Sequence, residues 1–559
     1  MKKGWKIWPT LLCVSMVLVM SGCGASQGQS DKKEGEKQST EAVKDPMAKY
    51  DEPVEITTAV AIDVVMQQLL AVQSDVETNN SWYNGYKNDL GIEIKNVWSV
   101  PSSQYEEKLN AAISADELPD VCQVSQEQLK VLVDNGMVMD ITDLFDKYAT
   151  DFTKKMMDED DNTALSQCKV NGKLYALPDV GGNHDMVPIM WIRKDWMEKL
   201  GMSAPKSVDD LEKLAKAFCE QDPDGNGQND TYGIALTNKL YDEGAPGMTG
   251  IMEMFGAHNG WVDSDGKAAY GLVQPEMKTV LEKLNEWYNS GILDKEFVAK
   301  DATKVNEEVV AGKVGIMFGN HINAFYPMPN AKTLNPEADW MPYPIPGVNG
   351  ELPKIMVGSS ANGYYVVSSK CKNPEAIMKI YNYFYQKDCA LSEDYDPKFH
   401  ATGDTTKHPG WAMNWAVIKT FYPRQNLFIY NGVKSYLDGD KKAAENPWVS
   451  SNIEQVEGYM KDPSNVSYYG SYIWCGPEGA FSVVDSYEKN NQRIQNLYIY
   501  GNTEGMSMYN VTLDQLTKET FTKIITGEKK ASDFDGFVEQ WNQLGGEQIT
   551  SEVNDFIKK

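Results

Sequence analysis

The chain has 559 residues, a formal net charge of −27, and 42% apolar and 11% aromatic residues. An acidic excess of this size excludes nucleic acid as a partner, because neutralising phosphates needs clustered Lys and Arg, and it opposes direct docking on anionic lipid. The length exceeds what one compact core supports and predicts two or more lobes; 14 Trp and 29 Tyr against five His suit stacking on sugar rings better than metal or His-based catalysis.

Lys2, Lys3 and Lys6 precede an apolar stretch from Leu11 to Met20 and the small residues Ser21 and Gly22. A charged start, a short apolar run and small residues mark residues 1–22 as a secretory signal peptide. The run is roughly ten residues, half of the about 20 needed to span a bilayer. Cys23 follows directly and is the thiol that a lipoprotein-processing system would acylate. Met20, where Leu is commoner, is a small departure from the lipobox pattern. Residues 23–50 are rich in Ser, Gln, Gly, Lys and Glu and cannot bury enough apolar surface to offset the entropy of ordering, so they read as a flexible linker. The expectation is a body tethered by lipid to the extracellular face of the cell membrane.

The body opens with a strand over Val54–Val60, a helix around Tyr105–Ser114 and a second strand at Leu118–Val121. A short helix at Asp140–Lys147 follows, then strands at Gly172–Pro178 and Pro188–Arg193. Helices come next at Asp195–Leu200 and after Ser207, a plausible N-cap. Further on, Val309–Phe318 runs from helix into strand, Asn362–Val367 is a strand and Asn373–Tyr385 a helix. The C-terminus is helical around Thr512–Thr526 and Phe534–Leu544. Alternation of strand and helix predicts an α/β fold with largely parallel sheets.

Asp222-Pro223-Asp224-Gly225-Asn226-Gly227-Gln228-Asn229-Asp230 places oxygen side chains at loop positions one, three, five and nine, with Gly at six. That is the spacing of a calcium loop, in which Asp222, Asp224, Asn226 and Asp230 would offer side-chain oxygens and Gln228 its carbonyl. The bidentate Glu of position twelve is replaced by Gly233, so a structural clip is expected rather than a sensor. Asp158-Glu159-Asp160-Asp161 reads as a solvated face. Of the eight Cys, the six beyond Cys13 and Cys23 form no CxxC pair; a Cys371–Cys389 disulfide and isolated buried thiols both fit. No GxSxG, HExxH or Walker loop occurs.

Taken in order, the lipobox, Leu118-Pro119-Asp120-Val121, Val170–Pro178, Met190–Trp196, the calcium loop with Thr231-Tyr232-Gly233, Gly312–Gly315, Ile524–Gly527 and Trp541–Glu547 resemble family 1 extracellular solute-binding proteins of the Firmicutes type, the lipoprotein receptors of carbohydrate ABC importers. The resemblance implies a two-lobed periplasmic-binding-protein-like fold (type II) with hinge strands. Lobe 1 would hold residues 51–187 and a returning segment 364–425, and lobe 2 residues 188–363 completed by 426–559. It further implies a non-catalytic, monomeric receptor that captures an oligosaccharide or sugar derivative and meets importer permease subunits. A peptide receptor and a surface-tethered polysaccharide-degrading enzyme are the alternatives. Ligand contacts would come from Asp63, Ser125, Gln126, Trp191, Trp261, Asn320, His321, Tyr472 and Trp474, with Arg193 or Lys residues meeting any uronate.

Overall fold

The computed structural model describes residues 45–160, 163–241, 246–400 and 412–558, without the side chains of residues 183 and 184. Cys23, the signal peptide and the linker up to residue 44 lie outside the described residues. The rest falls in one compact unit spanning Ala42–Lys559, and no helix of the described residues is long and apolar enough to cross a membrane.

The first half builds β1 (Val54–Ile62), β2 (Ile92–Pro101), β3 (Val121–Val124), a two-residue hairpin of β4 (Lys169–Val170) and β5 (Lys173–Leu174), and β6 (Ala176–Val180). The chain then crosses to β7 (Ile189–Arg193), β8 (Tyr232–Ile234), the hairpin β9 (Trp261–Ser264) and β10 (Lys267–Tyr270), β11 (Val314–Gly319) and β12 (Trp340–Tyr343). It returns through β13 (Ile355–Val357) and β14 (Ala361–Val367), and a last strand, β15 (Arg493–Gln495), runs beside β13. Two main sheets result, ordered β2-β1-β3-β14-β6 and β12-β7-β11-β8.

The sheets are mixed, which corrects the expectation of largely parallel pairing. β14 is antiparallel to both β3 and β6; β7 is antiparallel to both β11 and β12, whereas β11 and β8 run together. In each sheet the reversed strand is the one that enters from the other sheet. A strand arriving across the hinge starts at the end where its neighbours finish, so it runs against them. The geometry thereby locates the cleft at the carboxyl ends of β1, β3, β6, β8 and β11.

Local sequence accounts for most elements. Ser207 caps the helix Val208–Glu220 by accepting from Asp210 N at 3.2 Å, and Gly315 lies where a Cβ would come 2.2 Å from the Phe218 ring. β2 has no counterpart among the sequence expectations, although Ile92 and Ile94 alternate with Glu93 and Lys95 as in a half-buried edge strand. The second expected strand begins at Val121, where the expectation ended. Asp160 corrects the reading of 158–161 as a solvated face: it is buried, accepts from Ala164 N at 3.0 Å and from Ser360 Oγ, and so pins the start of β14. The six described cysteines are free thiols, with Cys371 and Cys389 buried and unbridged.

Several groups lock the crossings. Gln167 Nε2 donates to the Ile499 carbonyl while its Oε1 accepts from Ser359 Oγ. Glu488 receives Arg424 Nη1 at 2.9 Å and Arg493 Nη1 at 2.8 Å. The Asp185 carboxyl is buried beside them. Burial pushes it up to about 7, against the opposing pull of Arg493 and Arg424 and with a further push from Glu488.

Candidate functional site

One cavity opens at the carboxyl end of β1 in the first sheet, and a larger groove lies among segments that follow the strands of the second. At the first sheet, β1 pairs with β3 only through Thr58 and Val121, so the two strands part beyond that point. A small cavity of about 60 Å³ fills the gap, lined by Tyr105, Gln123, Asn414, Trp415 and Lys419 among others. Gln123 Nε2 donates to Asp179 Oδ2 at 2.6 Å. Burial raises the Asp179 carboxyl to about 6, opposed by the nearby Lys419 cation and the Gln123 bond. The Trp415 indole N–H is buried and has no hydrogen-bond partner among the described residues.

The larger groove, about 370 Å³, lies beyond the second sheet. Its walls are the hairpin β9–β10, the segment 496–500 and the helix Glu504–Thr526. Trp261 begins the hairpin; its N–H donates to Asn496 Oδ1 at 2.9 Å and its carbonyl accepts from Leu497 N at 3.0 Å. Aromatic rings then interlock around it. Tyr270 lies 5.4 Å from Trp261 and stacks on Trp541 at 5.5 Å, while Tyr498 meets Trp261 edge-on at 6.5 Å and Tyr500 at 5.7 Å. Polar groups line the same space: Asn259, Asn496, Asn510 and Asp514. Tyr241 Oη donates to Asp514 Oδ1 at 2.6 Å, and Lys518 holds Asp514 Oδ2 at 2.7 Å. Burial and that carboxylate both raise the Tyr241 hydroxyl far above its ordinary range, so it remains a donor. Apolar rings with a few convergent amides and a carboxylate are the equipment for binding a polyhydroxylated ring, whose C–H face stacks while its hydroxyls are hydrogen-bonded.

The expected residues divide into three groups. Trp261 lines the groove. Asp63, Ser125 and Gln126 stand at the carboxyl ends of β1 and β3, where each has a structural duty. Asp63 caps the helix Val64–Val72 through Met66 N at 2.8 Å and accepts from Asn414 Nδ2 at 3.1 Å. Ser125 forms a capping box with Gln128. Gln126 accepts from Tyr364 Oη at 3.0 Å and packs against Gly501, next to the groove wall. The third group clusters behind the end of β11. Trp191 is fully buried and donates to the Asn320 carbonyl at 3.2 Å. His321, its imidazole pushed down to about 4 by burial, accepts from Trp474 Nε1 at 3.1 Å, and Tyr472 packs 4.7 Å from Tyr459. Phe325 and Tyr326, half exposed, continue the turn after His321. Arg193 does not reach a ligand: it is buried, bonds Asp195 through two nitrogens at 2.8 and 2.6 Å and lies 4.2 Å over Trp196.

Sequence reasoning missed Tyr241, Tyr270, Tyr498, Tyr500, Asn510 and Asp514. The run Leu497-Tyr498-Ile499-Tyr500 was the readable hint; the rest come together only through packing of distant segments.

In the loop Asp222–Asp230, Gly227 N donates to Asp222 Oδ2 at 3.0 Å, and Asn226 Nδ2 bridges Asp224 at 2.8 Å and Asp230 at 3.0 Å. Asp222 Oδ1 is buried with no hydrogen-bond partner among the described residues. Burial raises the Asp224 carboxyl, and the neighbouring Asp222 and Asp230 carboxylates add to the rise. Crowded carboxylates with an orphaned oxygen fit a hard cation chemically. Yet among the described residues no three acidic, His or Cys side chains converge as a formed metal site.

Residues 73–388 match the family model of bacterial extracellular solute-binding proteins. The chain is similar to Lipoprotein LipO of Bacillus subtilis (strain 168), at 24% identity over 88% of this chain and 91% of the relative. It is similar also to the polygalacturonan/rhamnogalacturonan-binding protein YtcQ of the same organism, at 24% over 84% and 86%. Among solved structures, an extracellular solute-binding protein from Bifidobacterium longum subsp. infantis superposes with a TM-score of 0.60 at 17% identity, covering 91% of this chain and 99% of the other. An EF-hand mutant of the S. pneumoniae substrate-binding protein FusA with fructo-nystose gives 0.52 at 16%, covering 91% and 99%. At these identities the structural likeness is one of fold, and it is the two-lobed fold of periplasmic binding proteins.

Proposed function

Because the chain belongs to the bacterial extracellular solute-binding proteins, we propose that it captures an oligosaccharide or sugar derivative between its lobes and delivers it to an ABC importer. The observation that carries this reading is the aromatic groove around Trp261 on the second lobe, with amides and one carboxylate among its rings, which Gln126 of the first lobe approaches at Gly501. The lobes are residues 51–187 with 364–425, and residues 188–363 with 426–559. Ligand contacts to both shift the population from open to closed. Trp261 is the stacking platform; Asp63, Ser125 and Gln126 bring the first lobe to the ligand, and the Asn320, His321, Tyr472 and Trp474 cluster with Trp191 shapes the second. The protein works as a monomer and catalyses nothing. Glycoside hydrolysis needs two carboxyls about 5–9.5 Å apart at the bond, and Asp514 is the one carboxylate among the described lining residues of the groove.

Acylation of Cys23 after removal of residues 1–22 tethers the body outside the cell membrane; a Cys23→Ala chain should appear in the medium. In the loop, Asp222, Asp224, Asn226, Gln228 and Asp230 hold structural calcium, a reading supported by the EF-hand of the similar substrate-binding protein FusA. Bound there, calcium neutralises the crowded carboxylates.

Thermal shift across a panel of neutral and acidic oligosaccharides and peptides tests the receptor. Stabilisation by a glycan supports it. Stabilisation by peptides alone, with no response to any glycan, overturns it.

A further inference from the structure

Resting on the groove as a carbohydrate site, we infer that it selects neutral sugar rings and rejects uronates, and that Asp514 sets this preference. The described lining includes no Lys or Arg, and its formal charge is that of Asp514. The nearest cation named by the contacts, Lys518, is spent on Asp514 Oδ2 at 2.7 Å, while Tyr241 Oη takes Oδ1 at 2.6 Å. The groove's other polar groups are the neutral amides Asn259, Asn496 and Asn510 and tyrosine hydroxyls. Such a set bonds sugar hydroxyls in either direction. A uronate carboxylate, by contrast, would lose water among aromatic rings where the neighbouring cation, Lys518, is already paired with Asp514, and would compete with the Asp514 carboxylate for it.

The rest of the molecule points the same way. Arg193 is buried on Asp195, and Arg424 and Arg493 are joined to Glu488 at the crossings. Lys419, in the small cavity of the first sheet, faces the buried Asp179. A net charge of −27 adds a long-range field that slows the approach of anions and is screened by salt. The similarity to a polygalacturonan-binding relative therefore does not extend to the charge of the ligand.

The test uses matched oligosaccharides that differ only by oxidation at C6, such as β-1,4-linked glucotetraose against β-1,4-linked glucuronan tetramer and α-1,4-linked galactotetraose against α-1,4-linked galacturonan tetramer. Binding to the full mature chain is measured by calorimetry at low and moderate salt. For a neutral tetramer that binds, the oxidised partner is expected to bind at least about tenfold more weakly, as one like-charge contact across a partly hydrated groove requires. Asp514→Asn should narrow that ratio about threefold or more, whereas Lys518→Gln, which frees the Asp514 charge, should widen it. A uronate that binds as tightly as its neutral partner overturns the inference while leaving the receptor reading intact. An unchanged ratio in both variants overturns the role of Asp514. If no carbohydrate binds at all, the reading on which the inference rests is the one that falls.

Discussion

Replacing Asp185 by Asn should stabilise the protein at alkaline pH and flatten its stability profile. The carboxyl is fully buried at the first crossing, and burial lifts it from its ordinary value near 3.8 to about 7. Below 3.8 both folded and unfolded chains hold the proton and the group costs nothing. Between 3.8 and 7 the folded chain keeps the proton while the unfolded chain releases it, so stability falls as pH rises. Above 7 both are ionised and the cost is constant. At about 1.36 kcal/mol per pH unit, the full cost is about 4 kcal/mol, of which about 3 kcal/mol develops between pH 5 and 7. With an unfolding entropy of about 2.1 cal/mol/K per residue, a body of roughly 500 residues moves about 1 °C per kcal/mol. Thermal unfolding followed by circular dichroism from pH 5 to 8.5 should therefore show the Asn variant gaining about 3 °C on the native chain as pH rises. Other titrating groups cancel in that difference. Parallel profiles across the range would refute the reasoning and mean that Arg424 and Arg493 hold the charge without cost.

Trp261→Ala should weaken a glycan that stabilises the native chain about tenfold, in line with about 1.5 kcal/mol for a lost ring contact; unchanged affinity in calorimetry would place the ligand elsewhere. Gly315→Ala drives a Cβ to 2.2 Å from the Phe218 ring and should cost about 1–3 kcal/mol by overpacking, read as a lower denaturant midpoint. EGTA should lower the unfolding temperature by about 4 °C if the loop binds calcium at a thousandfold excess over its Kd; an identical melt with and without chelator removes calcium from the account.

Much of this protein could be read from local chemistry. Ser207 marks its helix start and Gly315 sits in an apolar strand, each because the deciding interaction lies within a few residues or one strand's periodicity. The run Asp158–Asp161 shows the limit, since polarity alone predicts solvent while Asp160 is buried by Ser360, which is 200 residues away in the chain. Strand direction shows it again. Short continuous runs of apolar and aromatic residues mark β7 and β14 as strands, but which way each runs is decided by which end of the sheet the crossing enters.

The sequence by itself carried the acidic composition and the anchors of a solute-binding family. Only the tertiary structure assembled the aromatic groove. Tyr241, Trp261, Tyr498, Asp514 and Trp541 are spread over 300 residues, and no local pattern links them. They share a groove because separate segments, the stretch that ends at Tyr241, the hairpin, residues 496–500 and the C-terminal helices, bury their apolar faces against one another. Burial is a property of the assembled surface, so the groove is written in the packing.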